Sequence, residues 1–246
     1  MNHDSVVNLY TDLANNPNKD FGWDKGLQNA LNHGYKREWV EKIPDTIWAY
    51  CAAVGNPFSA GAIKTGDYVL DIGCGAGLDL CVAALLAGKQ GRIFGVDITP
   101  AMVEKATQHA SLARLSNISV LEGSIEKLPI EDNYIDVVIS NGAINLAHSK
   151  ENVFAEAYRV LKPGGHLYFS DMIKDENNPV DSTCSNSNSW ADCIAGTLNS
   201  DEIIKILLNS GFKDVEHLST NHYKTSASTI GACFSAKKLS PAVHSE

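Results

Sequence analysis

The chain has 246 residues, 44% of them hydrophobic and 20% charged, which is enough apolar material for one large core or for a core with added segments. A formal net charge of −9 and a pI near 5.3 oppose a phosphate backbone, and no run of Lys or Arg offsets them, so nucleic acid is not an expected partner. No 18-residue apolar stretch is present, residues 1–5 lack a basic signal-peptide start, and six scattered cysteines contain no Cys-x-x-Cys pair, so a membrane span, a signal peptide, a disulfide framework and a zinc ribbon are all unexpected. These features describe a cytoplasmic chain with reduced thiols.

Residues 1–60 read as a helical cap rich in aromatics: Trp23, Tyr35, Trp39, Trp48 and Tyr50. Between Tyr35 and Tyr50 the apolar residues fall at helical intervals, interrupted by Pro44. From about residue 66 short apolar runs alternate with amphipathic stretches. Tyr68–Ile72 reads as a buried strand and Asp79–Leu86 as the helix after it. Arg92–Val96 is the next strand, and Thr99-Pro100 starts another helix with Thr99 at the N-cap. Strands follow at Asn117–Leu121 and Ile135–Ser140, then a helix over Glu151–Leu161. Lys162-Pro163-Gly164-Gly165 stops that helix before a strand over His166–Ser170. Residues 174–199, rich in Asn, Ser and Asp, read as a lid loop. A helix over Ser200–Asn209 and two strands near Lys213–Leu218 and Ser228–Ala236 complete the pattern, and 239–246 form a tail. Strand and helix alternating in this way predict an α/β fold: a parallel sheet, with helices on both faces, spanning 61–238.

The most informative stretch is Val69-Leu70-Asp71-Ile72-Gly73-Cys74-Gly75-Ala76-Gly77, at a strand end and a helix start. Glycines there let the backbone turn tightly and approach a ligand beneath exposed helix N–H groups. A dinucleotide site uses the same device with G-x-G-x-x-G/A spacing. Here the spacing is Gly73-x-Gly75-x-Gly77, and Leu78 occupies the position that the other pattern reserves for Gly or Ala. Asp71, two residues before Gly73, opposes a pyrophosphate and suits a ligand carrying an ammonium group. Asp97 ends the next strand, where a carboxylate accepts hydrogen bonds from both ribose hydroxyls. The combination points to a nucleoside ligand with an ammonium group and no phosphate, a description that S-adenosylmethionine (SAM) fits.

Over residues 66–171 these motifs resemble the class I SAM-dependent methyltransferase family. Gly123-Ser124-Ile125-Glu126 is similar to the segment flanking adenine in that family. Asp136–Asn141 is similar to the strand beneath the methyl donor, and Arg159–Gly165 to the turn before the fifth strand. The resemblance implies a Rossmann-like sheet of seven strands, mostly parallel, with an antiparallel final strand. It places Asp71, Gly73, Gly75 and the loop through Gly77 on the methionine part of SAM and Asp97 on the ribose. Ile98, Ser124, Ile125 and Glu126 would flank the adenine, Met102 would cover the adenine or ribose, and Asn141 would border the sulfonium.

A narrower resemblance, over 54–218, is to the arsenite methyltransferases. It rests on Gly55-Asn56-Pro57, on Gly95–Met102, on Ile139–Leu146 and on Trp190–Gly196. That family holds thiophilic trivalent arsenic with cysteine thiolates from three segments. Only Cys193 matches; Gly142 and Val54 stand where the other two cysteines are expected. Cys51, placed one helical turn before Val54, or Cys184, in the same lid as Cys193, are the substitutes on offer, while Cys193 itself reads equally as an inert buried thiol.

The expected activity is methyl transfer from SAM to a small-molecule acceptor, with an acceptor site altered by the lost thiols. The alternatives are a genuine arsenite methyltransferase using Cys193 with Cys51 or Cys184, and a non-catalytic SAM-binding sensor or partner subunit. The acceptor wall is assigned to Cys193, Asn145, Trp190 and Tyr35, with Asp192 also in position. His148 is the nearest base if the acceptor must lose a proton, although a loop or capping role suits it better. His33, His166, His217 and His222 are read as surface residues, and nothing in the sequence selects an oligomeric state.

Overall fold

Residues 3–175 and 196–240 are described in the structure, a computed structural model of the full chain. In β1 (Tyr68–Ile72), Val69, Leu70 and Ile72 are completely buried, and a strand buried on both faces belongs at the centre of a parallel sheet. β1 pairs in parallel with β2 (Arg92–Asp97) on one side and β4 (Ile135–Asn141) on the other. β3 (Ile118–Glu122) extends the sheet beyond β2, and β5 (Leu161–Lys174) extends it beyond β4. β7 (Thr229–Lys237) runs antiparallel between β5 and β6 (Lys213–Thr220). Among the described residues the seven strands take the order β3-β2-β1-β4-β5-β7-β6, with the final strand antiparallel as expected. The chain steps outward from β1 to β3 and then returns to β4 beside β1. That switch opens a crevice at the carboxyl ends of β1 and β4, where open α/β sheets bind ligands.

The helices follow from their apolar faces. α5 (Leu78–Ala87) is buried around most of its circumference because the sheet lies on one side and the N-terminal segment on the other. α6 (Pro100–Leu112) buries Met102, Ala106, His109 and Ala110, one face of a surface helix. α7 (Lys150–Val160) starts at Ser149, whose hydroxyl accepts the Asn152 N–H at 3.1 Å. α8 (Ser200–Asn209) starts on a capping box between Asn199 and Glu202.

Three expectations are corrected. The stretch 35–50 is not one interrupted helix but two short ones, α3 (Arg37–Val40) and α4 (Asp45–Trp48), with Pro44 in an extended conformation as the N-cap of α4. β5 begins directly after α7 and runs to Lys174, so Pro163-Gly164-Gly165 lies inside the strand. Leu161 already pairs with Ile135, and a register shift between Ile135 and Val137 absorbs the turn. His217 is not a plain surface residue: its ring stacks on Phe234 at 4.8 Å, and its Nε2 is buried. The lid expected over 174–199 falls largely on 176–195, outside the described residues, as do Cys184, Trp190, Asp192 and Cys193.

The N-terminal segment contributes α1 (His3–Asn15), α2 (Leu27–Asn32), α3 and α4. Tyr35 is met edge-on by Trp39, Trp48 and Phe58 at 6.0–6.1 Å, and this aromatic cluster packs on Leu78, Cys81 and Val82 of α5. Burial accounts for these aromatics, and edge-on geometry adds about 0.5–1.5 kcal/mol per pair. Among the described residues no helix is long and apolar enough to cross a membrane.

The centre of the larger core is the stack of Phe169 on Phe234, with centroids 5.0 Å apart, both essentially inaccessible to solvent. Phe234→Ala is expected to cost about 3–5 kcal/mol in denaturant unfolding, whereas Leu112→Ala, on the exposed face of α6, changes stability by less than about 0.5 kcal/mol.

Candidate active site

The loop after β1 is shaped by its hydrogen bonds. The Gly73 and Cys74 N–H groups donate to the Val96 carbonyl at 2.8 and 3.1 Å, which ties the loop to β2. Gly73 has φ +73°, and a Cβ there would collide with Ala143 of the loop after β4. Only glycine allows those two loops to close on each other. Gly75 has φ +49° with open space where a side chain would be, which leaves the backbone bare to a ligand. Its N–H donates to the Asp97 carboxylate at 2.8 Å, and the other Asp97 oxygen accepts the Thr99 N–H at 2.8 Å. Thr99 thus occupies the N-cap position of α6, but its hydroxyl caps no helix N–H, and Asp97 instead holds the N–H of Thr99 itself. Gly77 turns away from the cavity and lets α6 approach: any side chain there would bring its Cβ within 2.9 Å of Ala106 Cβ.

These elements border one cavity of about 1180 Å³, counted to its open mouth. One end, over β2, is lined by Ile98, Met102, Ser124, Ile125 and Glu126. Ser124 Oγ accepts the Glu126 N–H at 3.1 Å, and the Glu126 carboxylate accepts the His148 N–H at 2.6 Å. α1 closes this end with Val6, Tyr10 and Leu13, and Leu13 packs with Met102 and Ala76. The opposite end, over β4, is lined by Asn141, Gly142, Ala143 and Leu146, and by Cys51–Ala53.

The electrostatics are one-sided. Asp71, Asp79 and Asp97 are buried and line the cavity, and no Lys or Arg does so among the described residues. Burial raises the pKa of all three, and Asp79 and Asp97 push Asp71 up further. Asp79 rises from 3.8 to about 6, its burial partly offset by hydrogen bonds from Tyr35 and Asn141. The Tyr35 hydroxyl donates to Asp79 Oδ1 at 2.7 Å. The Asn141 amide reaches Asp79 Oδ2 at 3.3 Å, Tyr35 Oη at 3.0 Å and the Gly55 carbonyl at 3.1 Å. Asn141 Oδ1 accepts the Val54 N–H at 3.1 Å, which joins the N-terminal segment to the end of β4. This surface suits a cationic nucleoside: an apolar slot, a carboxylate at the end of β2, bare glycine backbone, and uncompensated negative charge.

Residues 63–218 match the family model of a methyltransferase domain. An arsenite methyltransferase of Halobacterium salinarum is 39% identical over 162 residues, 66% of this chain and 41% of that protein. One from Aquipseudomonas alcaligenes is 32% identical over 221 residues, 86% of this chain and 62% of that protein. The crystal structure of an arsenic(III) S-adenosylmethionine methyltransferase from Chlamydomonas reinhardtii superposes with a TM-score of 0.65 at 33% identity, covering 89% of this chain and 75% of that one. The chain belongs to the class I SAM-dependent methyltransferases. It spans roughly two to three fifths of the length of the two curated relatives. SAM is the methyl donor of the family, and the cavity's glycine loop and carboxylates fit it.

Of the cofactor residues expected from sequence in this methyltransferase, Asp71, Gly73, Gly75, Asp97, Ile98, Met102, Ser124, Ile125, Glu126 and Asn141 line the cavity together, and Gly77 shapes the loop from behind. The acceptor residues divide. Tyr35 lines the cavity, but its hydroxyl is committed to Asp79 and Asn141. Asn145 points the other way: its amide donates to the Met172 carbonyl at 2.6 Å, and its N–H donates to buried Asp171 at 3.0 Å. His148 is exposed and touches the site through its backbone N–H. Cys51 lines the cavity, yet residues 51–54 are not helical, so its spacing of one helical turn from Val54 does not apply. Its thiol donates to Asn29 at 3.4 Å.

Three features escape a reading of the sequence. Asp79 looks like an ordinary first-turn acid of a helix. Asn29 is buried, and its amide bonds both the N–H and the carbonyl of Ala53, at 2.9 and 3.1 Å, fixing one cavity wall from 24 positions away. Val6, Tyr10 and Leu13 carry a legible i, i+4, i+7 stripe, but nothing in the sequence says what they cover.

The raised Asp79 carboxyl sets a stability rule for the ligand-free protein. A folded pKa of about 6 against an ordinary 3.8 gives stability that is full below 3.8 and is lost as pH rises through 6. Asp79→Asn is therefore expected to raise the ligand-free melting temperature by several degrees at pH 8 and by less at pH 5, measured by differential scanning calorimetry.

Proposed function

We propose that the chain transfers the methyl group of SAM to a small organic acceptor, in a site related to that of the arsenite methyltransferases but altered at the acceptor wall. The observation that carries this reading is the pairing of Val54 with Gly142. Both stand where the family resemblance expects cysteine, and they face each other: a Cβ at Gly142 would lie 3.3 Å from Val54 Cγ1. Two positions suited to share one ligand are adjacent, and neither carries sulfur. Val54 is instead buried against Met172, with Leu146 and Tyr223 packed on the pair, so apolar side chains surround the position where the first thiol is expected.

The described thiols do not replace the missing ones. Burial, with the Asp79 charge beside it, pushes the Cys51 thiol up, so it stays protonated, whereas a metalloid is held by thiolate. Cys233 lies behind Gly55, its sulfur 3.0 Å from Ser170 Oγ. Cys74 is pushed up in the same way by burial and by Asp97 and Asp71.

SAM, when bound, supplies a methyl carbon activated by the positive sulfur that carries it. The chain's part is alignment and exclusion of water. Asp97 and the Gly75 backbone fix the nucleoside end, α1 covers it, and Asn141 ties the end of β4 to the wall at Val54. Among the described residues the lining groups able to take a proton from an acceptor are carboxylates and not imidazoles.

The test is conversion of SAM to S-adenosylhomocysteine with arsenite and glutathione, run beside a panel of small apolar thiols, amines and phenols. Turnover is expected with an organic acceptor and not with arsenite. Arsenite turnover abolished by Cys193→Ser would overturn the proposal, and SAM binding with no turnover on any acceptor would favour a sensor. A side chain at Gly142 sits at φ +71°, a strain of about 1–2 kcal/mol, and presses on Val54. Gly142→Cys alone is therefore expected to lower the melting temperature more than Val54→Cys/Gly142→Cys. Only the double variant should gain tight binding of a trivalent arsenical, read by titration with phenylarsine oxide.

A further inference from the structure

We infer that Asp79 supplies the counter-charge for the sulfonium of bound SAM, and that the site uses it to distinguish the methyl donor from S-adenosylhomocysteine, the uncharged thioether left after transfer. The inference rests on SAM as the methyl donor and is independent of the acceptor. SAM carries two positive groups, its ammonium and its sulfonium, and the cavity offers three buried carboxylates to meet them. Asp97 is already held by the Gly75 and Thr99 N–H groups over β2, at the nucleoside end. Asp71 ends β1 beneath the glycine loop. Asp79 is the one connected to the acceptor side, through Asn141 at the end of β4. The sulfur of SAM joins the ribose to the methionine chain and presents the methyl to the acceptor. A donor held by its nucleoside over β2, with its methyl turned to the end of β4, would bring its sulfur to the stretch of the cavity that Asp79 lines beside Asn141.

Burial raises Asp79, and its side-chain partners partly offset that without neutralising its charge. Its two side-chain partners, Tyr35 and Asn141, are neutral donors, and burial together with Asp79 itself keeps the Tyr35 hydroxyl protonated. It stands in the first turn of α5, where exposed N–H groups favour a negative charge. The titratable groups around it are Asp71 from β1, Asp97 from β2, Cys51 and Tyr35 from the N-terminal segment and Cys81 from α5, and none is a cation. A carboxyl raised to about 6 in the empty cavity returns toward its ordinary range when a cation arrives, so donor binding releases a proton near pH 6 that product binding does not.

The experiment is calorimetric binding of SAM and of S-adenosylhomocysteine to the full chain, at pH 6 and pH 8 and in buffers of different ionisation enthalpy. Asp79→Asn is expected to weaken SAM about 10-fold or more and S-adenosylhomocysteine less than about 3-fold, and to abolish the extra proton released by SAM. Tyr35→Phe keeps the charge but removes one stabilising donor, so preference for SAM should survive at pH 8 and disappear at a higher pH than in the parent. Equal weakening of both nucleosides by Asp79→Asn would overturn the inference and place Asp79 on the ammonium or in the scaffold. An unchanged pH midpoint in Tyr35→Phe would overturn it too, even if Asp79→Asn did not fold. Failure of the parent chain to bind either nucleoside would instead remove the SAM reading.

Discussion

Three carboxylates buried around one cavity, with no basic side chain among the described residues to answer them, are the constraint on which the site depends. Removing a carboxylate from water costs several kcal/mol even after relaxation, roughly per ion, and mutual repulsion adds to that cost. Each of the three is handled differently. Asp97 takes two backbone N–H groups, Asp79 takes a phenol and an amide, and Asp71 is pushed toward its neutral form by burial first and by Asp79 and Asp97 after it. The protein thus keeps a cluster of buried carboxylates around its cavity at the expense of its own stability, as expected of a surface shaped for a ligand and not for the empty fold.

The same network explains why an irregular segment serves as a wall of the site. Residues 51–56 have no regular structure, so their backbone polar groups need partners from elsewhere. Asn29 bonds both polar groups of Ala53, Asn141 accepts from Val54 N–H, Asn221 donates to the Val54 carbonyl at 2.8 Å, and Asn141 also donates to Gly55. Side-chain amides do here what a neighbouring strand does in a sheet. Because Asn141 serves both Val54 and Asp79, one residue ties the segment 51–56 and the first turn of α5 to the end of β4.

Where periodicity and local chemistry agree, the sequence is easy to read. The buried run of β1, the glycine loop, Asp97 at the end of β2 and the strand-helix alternation all follow from neighbours in the chain, and the cofactor end of the cavity assembles from them. What the sequence does not show is chosen by long-range contact. Asp79 and Tyr35 are 44 positions apart, and their pairing depends on how the cap packs on α5. Asn145 shares its segment with Asn141 but turns inward, because the short turn Ile144–Leu146 delivers its amide to the Met172 carbonyl. Pro163 and the two glycines after it signal a stop, yet the pairing of Leu161 with Ile135 carries the strand through them. His217 looks like a surface residue until the sheet places its ring on Phe234.

Val54 and Gly142 separate the two halves of the site chemically. The cofactor half needs charge and bare backbone, which any acceptor would require equally, since the methyl donor is the same. The acceptor half needs only the atoms that match one nucleophile, and here a methyl-bearing side chain faces a glycine where sulfur would face sulfur. On the proposed reading such a wall would exclude water and offer no soft ligand, so selectivity would come from shape and desolvation and not from coordination. The backbone fits that proposal: Gly142 rests at φ +71°, a conformation that costs a glycine nothing and a cysteine something. Thiol capture at this position requires the fold to hold a strained residue, whereas an apolar acceptor requires only the space that glycine leaves.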